Sequence, residues 1–142
     1  MIKNFIRCGI FGWCWEIILT GLGNLLSFRR VPLMGNTSLL MFPIYGAGAL
    51  LTPLARRLRH RSIWLRGACY TLCIFIAEFL SGSFLKRRQL CPWDYSRARW
   101  NLNGVIRLDY APAWFILGLS LEKLLTAQEK NPPSMHKKNG RP

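Results

Sequence analysis

Apolar residues fall in blocks of membrane-spanning length, and most charges are bunched in the gaps between them. Between Arg7 and Arg29 the only charge is Glu16, between Arg30 and Arg56 there is none, and between Arg66 and Lys86 there is only Glu78. A fourth run, uncharged from Tyr110 to Leu121, continues to Ala127 past Glu122 and Lys123. A membrane helix needs about 20 mostly apolar residues. The pattern therefore predicts an all-α polytopic membrane bundle with four spans, at about 8–27, 38–55, 63–85 and 107–127. A polar and aromatic loop joins spans three and four, and residues 128–142 form a disordered basic tail. The whole of 1–127 is read as a single transmembrane domain.

Within the spans, two periodicities stand out. Gly9, Gly12, Glu16, Thr20, Gly23 and Ser27 step by three and four, so they share one helix face. All are small or polar, which suits close approach to another helix rather than lipid. Gly67, Thr71, Ile74, Glu78, Ser81 and Leu85 repeat the pattern in span three. Both intramembrane acids are thus expected to face inward. Span two carries Pro43, Gly46, Gly48 and Pro53 and should be interrupted, because Pro removes a helical hydrogen bond. Freed carbonyls at membrane depth are tolerated only against protein or a wet cavity, so this span belongs inside the bundle. Trp64 anchors the start of span three at an interface.

The net charge is +14, from 20 Lys and Arg against 6 Asp and Glu. Such a balance can signal nucleic acid, but here the basic residues flank apolar runs. They are expected to meet anionic lipid headgroups, and no nucleic-acid partner is expected. Lys and Arg divide 12 to 8 between the two sides of a four-span arrangement, which places both termini in the cytoplasm. Met1 to Arg7 resembles a signal-peptide start, but the apolar run that follows is long and holds Glu16, so it reads as an uncleaved first span in a multi-pass plasma or cytoplasmic membrane protein. The five cysteines, at 8, 14, 69, 73 and 91, have no C-x-x-C spacing and no neighbouring histidine. Four of them read as packing residues in the embedded helices, with no metal site and no cofactor expected.

An ionisable residue inside a span is a functional candidate by default, since a central acid costs roughly 2.5–3.5 kcal/mol to insert. Glu16 and Glu78 are the two such acids, offset in depth. Asp94 follows span three by enough residues for a re-entrant loop to carry it toward Glu78. Arg97, Arg99 and Arg107 are close enough in sequence to neutralise them. The expectation is one network of Glu78, Asp94 and an Arg, with Glu16 beneath it and Tyr45 as a donor. Such carboxylates could carry protons, bind a cation or fix helix packing. Asp94 could equally be a turn-former after Pro92. No nucleophile–base set, P-loop or dinucleotide fingerprint is present, so enzymatic activity is not expected.

Several stretches together resemble a known family. They are Gly12-Trp13-Cys14-Trp15-Glu16, the run from Phe42-Pro43-Ile44-Tyr45-Gly46 to Ala49, Glu78-Phe79 with Gly82, Cys91-Pro92-Trp93-Asp94-Tyr95-Ser96, and Asn101-Leu102-Asn103-Gly104. Over residues 5 to 125 the chain resembles the CmpB family, labelled as ABC-transporter type IV. Leu108-Asp109-Tyr110-Ala111 with Trp114 is more similar to its animal branch, transmembrane protein 229. Where many bacterial members have Asn-Arg-Gly, this chain has Met34-Gly35-Asn36-Thr37-Ser38, so no role for that Arg carries over. The resemblance implies a permease-like or transport-accessory subunit whose ATPase is a separate chain. Two other readings stand beside it: a non-catalytic membrane scaffold or lipid-organising protein, and a lipid-active membrane enzyme. Small-residue stripes can also be satisfied across a homo-oligomer.

Overall fold

The computed structural model describes residues 1–28 and 34–130. Five α-helices run in the order α1 (Ile2–Phe28), α2 (Met41–Gly46), α3 (Thr52–Leu58), α4 (Ile63–Arg87) and α5 (Ala111–Lys130). A 3-10 helix (Ala47–Leu51) joins α2 to α3, and a second (Leu108–Tyr110) leads into α5. Between α4 and α5 lies an antiparallel ribbon of β1 (Asn101–Leu102) and β2 (Ile106–Arg107), paired Asn101 to Arg107 and Leu102 to Ile106. The protein is therefore mostly helical rather than all-α.

Two helices, Ile2–Leu26 and Ile63–Arg87, are long and apolar enough to cross a membrane. Only 22% and 17% of their apolar windows are buried inside the protein, so most of that surface faces outward. A core helix of a soluble protein would show the reverse. Along α4 the exposed side chains of Leu72, Ile76, Leu80 and Phe84 form an outward row at four-residue spacing. The row ends at Lys86 and Arg87 in the last helical turn, where cations complement the helix dipole. The expectation of four continuous spans is corrected here. The second apolar block is three short helical pieces, and α5 falls short of the same hydropathy test.

The helix ends also differ from the spans read in the sequence. α1 begins at Ile2 because Lys3 and Arg7 mark where hydrocarbon stops, and a basic side chain does not interrupt backbone hydrogen bonding. α5 starts at Ala111 rather than near residue 107, since β2 and a 3-10 turn occupy that stretch, and it runs on to Lys130. The remainder of the expected tail, 131–142, and the Arg29-Arg30 pair lie outside the described residues.

The break in the second block has a local cause. Pro53 has no N–H to offer the carbonyl four residues back, that of Ala49. The Ala49 carbonyl accepts instead from the Thr52 backbone N–H and from Thr52 Oγ1 at 2.6 Å. A 3-10 turn results, with its freed acceptor satisfied.

Packing follows the small-residue face of α1. Gly9 lies under the Phe42 ring and Gly12 under the Tyr45 ring, so a Cβ at either would collide with α2. Farther along, polar side chains on the same side of α1 hold the connecting segment 34–38. Trp13 Nε1 donates to the Ser38 carbonyl at 3.0 Å, Thr20 Oγ1 accepts from Asn36 N at 2.9 Å, and Asn24 Nδ2 donates to the Met34 carbonyl at 2.8 Å. The core itself is built on α5: Trp114, Leu117, Leu121 and Leu125 are buried together with Cys8 of α1. Their spacing of three, four and four makes one continuous helix face.

Candidate intramembrane site

The centre of the site is the contact between α4 and α5. Glu78 is buried, 8% exposed, and its Oε2 accepts a hydrogen bond from Trp114 Nε1 at 3.1 Å. Trp114 is fixed by the core face of α5 and by Tyr110, whose ring meets it edge-on at 5.8 Å. Tyr95 meets Tyr110 in turn at 5.9 Å. Arg107 caps this ladder, its guanidinium 4.5 Å from the Tyr110 ring centroid, its Nη1 donating to the Tyr110 hydroxyl and its fork bonded to Asp109 at 2.8–3.1 Å. A chain of ring contacts and hydrogen bonds thus links the half-buried Arg107 and exposed Asp109 to the buried Glu78.

Beside it is a cavity of about 230 Å³. Its walls are almost wholly aliphatic and aromatic, with Glu78 its one carboxylate and Tyr45, Trp93 and Trp114 its rings. A second cavity, about 280 Å³, is lined by Glu16, Thr37, Asp94, Tyr95 and Tyr110. Trp93 and Met41 line both. Tyr45, carried by α2, lies within electrostatic reach of Glu16 and Glu78 and of Tyr95 and Tyr110.

The acids therefore sit in three settings. Glu78 is bound to Trp114. Glu16 Oε2 accepts from Thr37 Oγ1 at 2.6 Å, so its partner comes from the connecting segment. Asp94 is exposed, and its Oδ1 accepts from Ser96 Oγ at 2.6 Å and Ser96 N at 3.0 Å. The structure places Asp94 with Glu16 around the second cavity, and no hydrogen bond joins Asp94 to Glu78 among the described residues. Arg97 and Arg99 are exposed and form no ion pair there. Lys86 and Arg97 act on Asp94 from a distance.

The loop motifs explain one another. Tyr95 N donates to the Gly104 carbonyl at 2.9 Å, and Trp93 Nε1 to the Val105 carbonyl at 3.0 Å. Asn101 Oδ1 accepts from Gly104 N at 3.0 Å while its Nδ2 donates to the Ala98 carbonyl at 2.6 Å. Lys86 Nζ closes the arrangement on the Asn103 carbonyl at 3.0 Å. Asn103 and Gly104 have φ of 54° and 68°, the left-handed pair that a tight hairpin needs, and Asn-Gly is its usual sequence. That dipeptide between Asn101-Leu102 and Val105-Ile106-Arg107 was a signal for the ribbon that a reading by membrane spans passes over.

Two predictions arise at this loop. A Cβ at Gly104 would meet Ser96 Oγ, Lys86 Nζ at 2.8 Å and Asp94 Oδ1 at 3.2 Å, on a backbone that disfavours any side chain. Gly104→Ala is expected to loosen the loop and raise its rate of proteolytic cleavage several-fold, while the helix content by circular dichroism stays unchanged. The second concerns pH. The Ser96 hydroxyl and backbone N–H hold the Asp94 carboxyl below the ordinary aspartate range. A depressed folded value means that the stabilisation is present above the unfolded value, about 3.9, and is lost as pH falls through the folded one. Trp93 fluorescence is expected to stay constant from neutral pH to about 4 and to change only below it, and Asp94→Asn should remove that acid transition. Burial pushes the Tyr95 phenol up, with Glu78 and Tyr110 adding to it, so Tyr95 is a neutral donor or acceptor throughout.

Sequence reasoning passed over one ion pair. Arg66, at the start of α4, bonds Glu122 of α5 through Nη2 at 3.0 Å and Nε at 3.1 Å, and Glu122 is 6% exposed. The Tyr70 hydroxyl lies beside Glu122 without a well-aligned hydrogen bond. The signal was available: Glu122 interrupts the fourth apolar run and, like Trp114, lies on the buried side of α5. Of the other motif residues, Gly46 lies against the Phe5 ring and Pro43 sits exposed in the first turn of α2, where a missing N–H costs nothing. His60 is exposed in the basic loop, and His136 lies outside the described residues. No group of three His, Cys, Asp or Glu side chains among the described residues could hold a metal.

These features define a mostly helical, membrane-associated protein with a buried carboxylate between its packed helices. The chain belongs to the CmpB family, described as "Putative ABC-transporter type IV", which matches residues 3–138. The match is to the family as a whole and does not separate its branches. No solved structure matches the chain.

Proposed function

We propose that this protein is a small permease-like or transport-accessory subunit whose polar site is formed by Glu78, Tyr45 and Glu16. The observation that carries the reading is Glu78 itself, a carboxylate buried on the wall of an otherwise apolar cavity. Inserting such a group is costly, and a packing role alone would be met by an apolar side chain. In this reading the broken second segment and α5 complete four crossings with both termini in the cytoplasm. The outward row on α4 meets acyl chains, and Lys86, Arg87 and Arg88 meet anionic headgroups. The chain has no ATP-binding motif, so hydrolysis belongs to a separate subunit.

A second reading, a membrane scaffold, is favoured by the way Glu16 and Asp94 are each tied to a neighbouring hydroxyl that holds a connecting segment. Gentle extraction from native membranes followed by native mass spectrometry separates the two. The transport reading expects an ATP-hydrolysing or second membrane subunit at fixed stoichiometry, and ATP turnover in that complex that falls at least ten-fold on Glu78→Gln. A lone protein or homodimer without such a partner, or turnover untouched by Glu78→Gln, overturns it.

A further inference from the structure

We infer that the cavity between α2, α4 and α5 is a binding site for a compact, lipophilic organic monocation. The inference deepens the transport reading and rests on the same residues. The cavity combines three properties. It has a single carboxylate, Glu78, and it lies on a wall rather than at a rim. Three aromatic residues, Tyr45, Trp93 and Trp114, line it, and aromatic rings attract cations that have shed their water. The rest of the lining is aliphatic, and its exposed members, Ala47, Leu50 and Ala77, place the mouth on the outward surface of the helices rather than at a loop. A ligand entering there arrives through an apolar environment.

Other ligand classes fit less well. A dehydrated inorganic cation needs several oxygen ligands, and this cavity offers one carboxylate and no cluster of acids. An anion would face Glu78 directly. A neutral apolar molecule would make no use of the Glu78 carboxyl group. Size sets an upper bound. The volume, about 230 Å³, is roughly one and a half times that of an engineered apolar cavity of about 150 Å³ that accepts benzene. A single ring bearing a substituted ammonium fits that space, and a multi-ring cation does not.

The test uses benzyltrimethylammonium and its neutral isostere neopentylbenzene, in which carbon replaces the ammonium nitrogen. Binding of each to the full-length protein in detergent is measured by calorimetry or equilibrium dialysis. The wild-type protein is expected to bind the cation at least about ten-fold more tightly than the isostere. Glu78→Gln, which keeps an acceptor for Trp114, should remove that preference while leaving the isostere's affinity unchanged. Ile74→Phe, which fills the cavity and keeps the Glu78 side chain, should weaken both. Equal binding of the two probes by the wild-type protein, binding of neither, or a cation preference that survives Glu78→Gln overturns the inference. The wild-type comparison decides the matter even where a variant fails to fold. A cation site in a protein with no ATP-hydrolysing partner would leave this inference standing and remove the transport reading. A partner complex that ignores the cation would do the opposite.

Discussion

Arg66→Ala is expected to destabilise the folded protein by about 3–5 kcal/mol, the largest loss among single charge removals. Arg66 and Glu122 join the start of α4 to the middle of α5 through an ion pair and one hydrogen bond from Arg66 Nε, with Glu122 almost fully buried. Removing the guanidinium leaves a carboxylate in an apolar setting with no opposite charge, and that desolvation penalty dominates. The pair itself need not be strongly stabilising, because both charges were stripped of water to form it. Arg66→Met combined with Glu122→Leu is therefore expected to recover most of the loss, since no charge stays buried. Unfolding in detergent, followed by tryptophan fluorescence for the wild type, both single variants and the double variant, measures this directly. Equal losses for the single and double variants would mean that the side chains matter by packing alone.

Trp114→Phe is expected to cost about 1–3 kcal/mol, and Trp114→Ala about 3–5 kcal/mol. The first change keeps most of the ring and removes the donor that Glu78 Oε2 uses. The second also opens space in the core face shared with Leu117, Leu121 and Cys8. The two effects can be separated. With Glu78→Leu in the background, no buried acceptor remains, and Trp114→Phe should then cost under about 1 kcal/mol. A cost that stays the same with or without the carboxylate would show that the Trp114 indole acts through shape only. Tyr110 and Arg107 lean on the same ring system from the loop side, so both Trp114 variants should also shift the fluorescence of Trp93.

Much of the helical plan was legible because charge and hydropathy report directly on the solvent around each segment. The runs between Arg7 and Arg29 and between Arg66 and Lys86 foretold α1 and α4, and the periodicity of Gly9, Gly12 and Glu16 foretold the face on which α1 packs. The interruption of the second block followed from Pro53 and its missing donor. The ends of helices were less legible. A Lys or Arg marks where lipid stops, whereas a helix stops only where its hydrogen bonds do, as at Ser62, whose side chain caps α4.

What the sequence by itself determined was the class of protein: two long apolar helices, buried-side acids at Glu16 and Glu78, and a polar loop rich in turn residues. The tertiary structure alone decided which groups meet. Spacing along one helix sets a face, but the partner on that face comes from another element whose approach depends on side-chain shape. So Glu78 is held by Trp114 from α5 and Glu16 by Thr37 from the connecting segment, while Asp94 turns back on Ser96. The fourth apolar run, with its charge interruption and weaker hydropathy, became the centre of the core, because burial among helices rewards a face of large side chains more than it rewards overall hydropathy. The turn at Asn103-Gly104 is locally encoded, but the docking of the preceding loop on the ribbon depends on hydrogen bonds between stretches about ten residues apart, Tyr95 with Gly104 and Trp93 with Val105, which no local pattern encodes.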